Sequence, residues 1–291
     1  MASGVLAYSG LVTKTKAMHG KLLTPQELAA LTEYESVEEF ISFLREHSGY
    51  APVFAGRDEV EHRGQVEAVI GEALYRDYGR LYRFAGAGQR KVLEMAFLRY
   101  ELADAEKPGE GYTDEISADG DMKLDVDYYR MLWKYREKIK DRHTRDICTQ
   151  IWGTEIDWQN IMWMYRAKRF YGSTATEIER ELIPVSYKFR KGELQRLLLA
   201  EHLEEFIDLV GKTAYFTEKD AVVKLGDEIT YRAVLDRTYR RVCRKYPMSI
   251  APVLQYFYDK EHEIDMLTTI LEGVRYQIPA KEIQELVLVT A

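Results

Sequence analysis

The sequence has little cysteine and no long apolar run, and each shortage excludes a class of protein. Its two cysteines, Cys148 and Cys243, are too few and too far apart to indicate a disulfide framework or a zinc site. No apolar run approaches the roughly 20 residues that a membrane-spanning helix needs. The first residues also lack the uninterrupted apolar core of a signal peptide. We therefore expect a reducing, cytoplasmic setting and no direct membrane insertion.

Proline is also scarce, with 7 residues in a chain of 291. Leu, Glu, Lys, Arg and Ala are abundant, and these residue types favour helices over sheets. The 46% of hydrophobic residues can give a core to each of two or three compact units, so a disordered chain is not expected. The composition predicts an all-α fold.

The formal net charge of -7 argues against a nucleic-acid partner, because phosphate backbones would repel the molecule as a whole. Two local basic segments, at 166–169 and 237–245, have aromatic neighbours and would be needed for any RNA contact. Tyr239 and Val242 interrupt the second segment as predicted core-facing residues. A solvated or protein-facing helix surface is therefore the favoured interpretation, and no nucleic-acid partner is predicted.

Helix signals are clear at several places. The segment 24–27, Thr-Pro-Gln-Glu, offers an N-cap, a proline at the first helical position and a carboxylate in the first turn, which predicts a helix from Pro25. Apolar residues recur at helical spacing over 37–44 and 203–210. The stretch 104–121 gathers Gly, Pro, Asp and Ser without periodicity and is predicted to be an exposed linker.

The two periodic segments share more than their spacing. VEEFISFLREHSGY at 37–50 and LEEFIDLVGKTAY at 203–215 have the same Glu-Glu-Phe-Ile core and the same closing tyrosine. We interpret them as copies of one unit. A helical unit too small to bury its own apolar face must stack on its neighbours, which predicts a ring or arc of bundles.

A second pattern occurs three times, with a leucine and a tyrosine four residues apart on one helix face: ALYRDY at 73–78, KLDVDY at 123–128 and VLDRTY at 234–239. Each copy is followed by a glutamate that opens another helical stretch: Glu101, Glu155 and Glu261. In the later two copies MYRAKRFYGSTATEI at 164–178 then resembles ILEGVRYQIPAKEI at 270–283. The order and spacing of these patterns are kept along the chain, which indicates repetition of one helical unit.

Motifs that would indicate nucleotide binding or metal binding are weak in this sequence. Gly211-Lys212-Thr213 ends like a phosphate-binding loop, but Phe206 stands where that loop needs a glycine, and a helix C-terminal turn is favoured. Glu59 and His62 form a single Glu-x-x-His pair, whereas a di-metal helical bundle needs two pairs and two further glutamates. We expect no cofactor, no metal and no active site.

Three segments carry a resemblance to a known family: ALYRDYGRLYRF, EIDWQNIMWMYRAKRFYG and PVLQYFYDKEHEIDMLTTILEGVRYQIPAKEI. They resemble the C subunits of bacterial and archaeal V-type (A-type) ATPases, whose eukaryotic counterparts are the d subunits, and the similarity spans nearly the whole chain. The resemblance implies three similar helical-bundle domains in a pseudo-threefold funnel. We draw these at 1–110, 111–215 and 216–291, with the N-terminal helices as a candidate completion of the last.

The resemblance also implies a function. A member of this family is expected to be a non-catalytic rotor subunit on the cytoplasmic face of the membrane, with the membrane rotor ring and the D and F subunits of the central stalk as partners. It would transmit torque for ATP-coupled proton or sodium transport, without a cofactor. The alternatives from the residues alone are a helical-repeat scaffold of another complex and a helical metalloenzyme that uses Glu59 and His62.

The charged residues of the repeated patterns are the candidates for partner binding: Glu155, Arg166, Lys168, Arg169, Glu261 and Arg275. An equally simple interpretation of the two glutamates is intramolecular pairing that orients adjacent helices.

Overall fold

The computed structural model describes residues 2–57, 63–105, 118–190, 192–216 and 228–288, with side chains over 6–57, 64–100, 125–190, 192–216 and 231–287. Over these residues the backbone forms helices and loops without a β-strand, which confirms the predicted all-α class. The α-helices found there are α1 Ala2–His19, α2 Pro25–Leu31, α3 Val37–Glu46, α4 Ala51–Phe54, α5 Arg63–Phe84, α6 Ala87–Ala105, α7 Ala118–Lys138, α8 Arg142–Arg166, α9 Ala175–Glu181, α10 Glu193–Leu199, α11 Leu203–Gly211, α12 Glu228–Lys245, α13 Ala251–Arg275 and α14 Ala280–Leu288.

Local sequence signals set several helix starts. Thr24 caps α2 by accepting the N–H of Glu27, whose carboxylate in turn accepts the N–H of Thr24, so the helix predicted from Pro25 is confirmed. The same reciprocal box, made by Thr174 and Glu177, starts α9. The helices predicted over 37–44 and 203–210 are α3 and α11.

Both ends of the stretch predicted to be an exposed linker are helical. Its first residues, Asp104 and Ala105, belong to α6, and α7 already begins at Ala118. Glycine, aspartate and proline lower helix propensity, but tertiary packing of the flanking apolar positions can override propensity at helix ends. The segment 106–117 lies outside the described residues.

The chain divides into two compact units. Unit 1 comprises Met1–Arg90 and Pro247–Ala291, so it is built from both the N-terminal and the C-terminal parts of the sequence. Within it α13 packs against α1, α3, α5 and α14, while α14 packs against α2. Leu31, Phe40, Leu44, Leu267 and Ile270 are among the residues of its buried core. The three drawn domains and the funnel arrangement stay predictions.

Unit 2 comprises Lys91–Tyr246 and is continuous in sequence. Helix α8 is its centre and packs against α7, α11 and α12. Because neighbours cover it on several sides, its buried residues go all round the helix and include Trp152, Trp158 and Trp163. Asp141 caps its start by accepting the N–H of Thr144 at 2.6 Å.

The end of α8 has an uncommon backbone. The chain continues past Arg166 as a π-helical turn over Ala167–Tyr171. Gly172 then adopts a left-handed conformation with φ of 59°, which glycine tolerates without steric cost and which ends the helix. π-helical turns inside or next to α-helices are rare and are frequent at functional sites.

Candidate functional site

A buried carboxylate in the middle of α13 holds the N-terminal part of unit 1. Glu263 is 2% exposed and accepts hydrogen bonds from the Tyr50 hydroxyl at 2.7 Å, from the Lys260 ammonium at 2.7 Å and from the backbone N–H of Leu23. The pKa of Tyr50 is raised well above its ordinary value, because burial and the nearby Glu263 charge both disfavour the phenolate. We call this network the Glu263 lock.

Unit 2 contains a second lock in the middle of α8. Asp157 is fully buried and accepts the backbone N–H groups of Tyr187 and Lys188, at 2.9 and 2.8 Å, and the Tyr215 hydroxyl at 2.6 Å. Burial raises the pKa of Asp157, and the three hydrogen bonds oppose that rise by favouring the carboxylate. This Asp157 lock joins the loop before α10 and the chain after α11 to α8.

The two locks share a tyrosine that donates to the carboxylate and a lysine ammonium that lies over the tyrosine ring. Tyr50 and Tyr215 are the closing tyrosines of the two copies found in the sequence, and each donates to a carboxylate on a central helix. In each lock a lysine ammonium also lies over the tyrosine ring: Lys260 Nζ is 3.7 Å from the Tyr50 centroid, and Lys188 Nζ is 4.5 Å from the Tyr215 centroid. The copies therefore attach to their central helices in the same way.

Sequence reasoning missed both lock carboxylates. It selected Glu155 and Glu261, whereas Asp157 and Glu263 lie two positions later in each copy. In both copies a second acidic residue follows the selected glutamate by two positions, in EID and in EHE. This repeated pair could have identified the lock carboxylates. In the first copy an alanine stands two positions after Glu101, where the other two copies have the lock carboxylate.

The two glutamates selected from the sequence lie beside the locks. Glu155 is half-buried on α8 and accepts the Tyr239 hydroxyl of α12 at 2.8 Å, which is the helix-orienting pairing considered as the alternative. Tyr239 closes the VLDRTY pattern, so this bond joins two of the repeated patterns. Glu261 is half-buried on α13. Partner binding by either glutamate remains a prediction.

Lys168 faces the interior of unit 2. Its ammonium donates to the carbonyl oxygens of Leu198 and Ala200, both at 2.8 Å. These carbonyls lie at the C-terminal end of α10, where a cation is favourably placed against the helix dipole. Burial lowers the pKa of Lys168. The side chain thus fastens the π-helical turn to α10.

Basic and aromatic side chains are exposed at the end of α8. Arg166 and Arg169 are exposed, as are Phe170 at 64% and Tyr171 at 76%. The Arg169 guanidinium donates to the Tyr165 hydroxyl and lies 5.1 Å from the Phe170 ring centroid. We define the α8 ridge as Arg166, Arg169, Phe170 and Tyr171.

The end of α13 in unit 1 carries the corresponding residues. Arg275 is exposed, and its guanidinium lies 5.7 Å from the ring centroid of Tyr276, which is 63% exposed. Gln277 has φ of 54° and turns the chain towards α14. The sequence correspondence of Arg169 with Arg275 thus places an exposed basic residue and an aromatic neighbour at the end of each central helix.

The model of the ATP synthase (C/AC39) subunit family matches residues 11–105 and 111–286. The chain belongs to this family. The A-type ATP synthase C subunit of Archaeoglobus fulgidus is 24% identical over 337 aligned positions, which cover 96% of this chain and 95% of the relative. The corresponding C subunit of Methanosphaera stadtmanae is 22% identical, and the alignment covers 94% of this chain and 86% of the relative. The resemblance found in the sequence is confirmed.

The remaining motifs of this ATP synthase (C/AC39) family member are structural or lie outside the described residues. Gly211 is the last residue of α11, Lys212 pairs with Asp208 one turn earlier, and Thr213 donates to the Val210 carbonyl. The predicted helix C-terminal turn is therefore confirmed. The Glu-x-x-His pair at 59–62 falls outside the described residues.

The part of this family member that the structure describes offers neither a metal-binding cluster nor a membrane span. No three His, Cys, Asp or Glu side chains in that part lie close enough together to hold a metal ion. None of the helices there combines the length and apolarity required to cross a bilayer.

Proposed function

We propose that the chain is a non-catalytic central-rotor subunit of a V/A-type ATPase that links the membrane rotor ring to the central stalk. In this proposal it is peripheral, sits on the cytoplasmic face and transmits torque for ATP-coupled proton or sodium transport. The observation that carries the proposal is the family match, which runs along nearly the whole chain and includes relatives named as the C subunits of A-type ATP synthases.

The internal construction supports a mechanical role. Helices α8 and α13 are each 25 residues long, so each extends about 38 Å at 1.5 Å per residue. Each is braced near its middle by a lock in which every donor reaches a buried carboxylate. Satisfied buried networks rigidify a fold, and close-packed helices resist shear. Torque transmission requires this stiffness.

The exposed helix ends supply candidate contact surfaces. Arg166, Arg169 and Arg275 project from the ends of the two central helices and could pair with carboxylates of the D and F stalk subunits. Arginine and aromatic residues are enriched in protein interfaces. We propose these three arginines and Glu261 as stalk contacts, with Glu155 and Lys168 as residues that position the surrounding helices.

Calorimetric titration of the purified chain with the purified D–F stalk pair from the same genome tests the proposal. We expect saturable one-to-one binding. Charge reversal at Arg166, Arg169 or Arg275 to Glu should weaken binding at least tenfold. Arg142→Glu is the matched control, because Arg142 is also exposed on α8 but lies at its opposite end.

The controls separate two ways in which the proposal could be wrong. Tight binding by all three charge-reversal variants would support the stalk role and show that these arginines lie outside the interface. No binding by the unaltered chain, either to D–F or to the purified rotor ring, would contradict the rotor role itself.

A further inference from the structure

We propose that the α8 ridge is a docking surface for an acidic amphipathic helix of a neighbouring subunit. The inference rests on the proposed function and deepens it, because it names the chemistry of one contact. Three features of the ridge support it: the exposure of its side chains, the way its backbone is held and its unneutralised positive charge.

The ridge exposes two large aromatic side chains. Phe170 and Tyr171 are 64% and 76% exposed. Leu199 is 64% exposed, and Lys168 binds the carbonyls of the residues on either side of it. Large aromatic side chains that stay in water in the free protein and lie beside arginines are the usual anchors of protein interfaces.

The backbone of the ridge is preorganised. The π-helical turn follows directly from the buried last turns of α8, where Met164 and Tyr165 are both almost fully buried. From the other side Lys168 fixes the turn to α10 through two hydrogen bonds of 2.8 Å. A surface held in this way loses little conformational entropy when a partner binds.

The positive charge of the ridge indicates the chemistry of its partner. Neither Arg166 nor Arg169 forms an ion pair with any side chain in the described ranges, and Arg169 is held instead by Tyr165 and Phe170. A guanidinium offers a planar fork of donors that matches a carboxylate. A partner that satisfies the ridge must therefore place carboxylates next to apolar side chains, which an amphipathic helix does with residues three or four positions apart.

An anionic membrane surface fits the ridge less well. Lipid recognition typically uses clusters of about four to eight basic residues, whereas the ridge has two. The helix that follows it is acidic: Glu177, Glu179 and Glu181 are all exposed on α9. These carboxylates would be repelled by anionic headgroups, while a protein helix can avoid them by its orientation.

Photo-cross-linking in membranes that carry the assembled ATPase tests the inference. The full chain receives p-benzoylphenylalanine in place of Phe170. The control chain receives it in place of Phe84, which is 54% exposed and has the Lys14 ammonium 5.7 Å from its ring centroid. The cross-linked peptide is identified by mass spectrometry. Arg166→Glu is added to both chains, and unchanged thermal unfolding shows that they fold.

The expected product from position 170 is a peptide of one other ATPase subunit with more carboxylates than basic residues and with apolar residues at helical spacing. Its yield should fall at least tenfold with Arg166→Glu, while the product from position 84 is unaffected. A lipid adduct, a neutral or basic peptide, or no product would overturn the inference. An acidic helix from a protein outside the ATPase would also overturn the inference, while saturable D–F binding in the calorimetric titration would still support the proposed function.

Discussion

The Tyr50 hydroxyl lies 2.7 Å from the Glu263 carboxylate, although 213 positions separate the two residues in the chain. In unit 2 Tyr215 reaches Asp157 across 58 positions. The same tyrosine–carboxylate hydrogen bond is therefore made twice. In unit 2 it joins parts of one continuous stretch, and in unit 1 it joins the two separate stretches that form the unit. The contribution of each bond to the free energy of unfolding can be measured directly.

Removing the lock hydroxyls should destabilise the protein. Tyr50→Phe and Tyr215→Phe each delete one hydrogen bond to a buried carboxylate, and such bonds contribute about 1.5 to 3 kcal/mol. We expect each variant to lower the free energy of unfolding by about 2 kcal/mol in urea titrations. Tyr171→Phe is the control, because Tyr171 is 76% exposed and its change should stay within about 0.5 kcal/mol. Equal effects in all three variants would contradict the lock interpretation.

Lys260 and Glu263 should be strongly coupled. Both are almost fully buried, and their charged groups are 2.7 Å apart. Glu263→Gln leaves the ammonium buried without an anion, which costs about 3 to 5 kcal/mol. Adding Lys260→Met removes the stranded charge, so the double variant should be more stable than the sum of the single changes predicts. Additivity within about 0.5 kcal/mol in this cycle would show that the pair is not coupled.

His19 should make stability depend on pH. Its ring lies 2.8 Å from Asp259, and this hydrogen bond is the main cause of a pKa raised above the ordinary 6.5. A raised folded pKa means that the stabilisation is fully present below the unfolded pKa and is lost as the pH rises through the folded value. The ring is about half exposed, so the effect is small.

The measurement is urea unfolding of the unaltered chain and of His19→Gln between about pH 5 and pH 9. The stability difference between them should be largest at the acidic end and shrink towards the alkaline end. An NMR titration of His19 with a midpoint at or below 6.5 would refute the assignment.

Two glycines should respond to alanine with opposite signs. A Cβ at Gly153 in α8 would stand 2.5 Å from Cγ of Tyr187, whose backbone N–H belongs to the Asp157 lock. Gly153→Ala should therefore cost about 1 to 3 kcal/mol through overpacking. A Cβ at Gly71 in α5 meets no heavy atom within 4 Å, so Gly71→Ala should gain about 0.5 to 1 kcal/mol. Thermal unfolding of both variants measures the two stability changes. A loss of stability in Gly71→Ala would contradict the packing argument.

Features encoded by neighbouring residues could be predicted from the sequence. The capping box of Thr24 and Glu27 fixed the start of α2, because both partners lie within one turn. The periodic apolar positions of α3 and α11 identified their buried faces, since helical spacing alone decides which residues share a face.

Features that depend on distant contacts could not be predicted. The partner of Tyr50 is set by the packing of α13 against α3, which no local pattern encodes. The π-helical turn at 167–171 is fastened through Lys168 to the carbonyls of Leu198 and Ala200, which lie about 30 positions later in the chain. The same contact turns Lys168 inward, whereas the neighbouring Arg166 and Arg169 are exposed. A run of basic residues in the sequence does not distinguish these orientations.

Unit 1 combines an N-terminal and a C-terminal stretch of the chain, so the ribosome makes its two parts at different times. Unit 2 is continuous and can close its lock once Tyr215 has left the ribosome, because Asp157 precedes it. Tyr50 is made early but must wait for Glu263, which emerges after all of unit 2. Domains generally fold as units. A released, truncated chain that ends at Tyr246, the last residue of unit 2, should therefore protect unit 2 from protease while the segments of α2 and α3 are still cleaved.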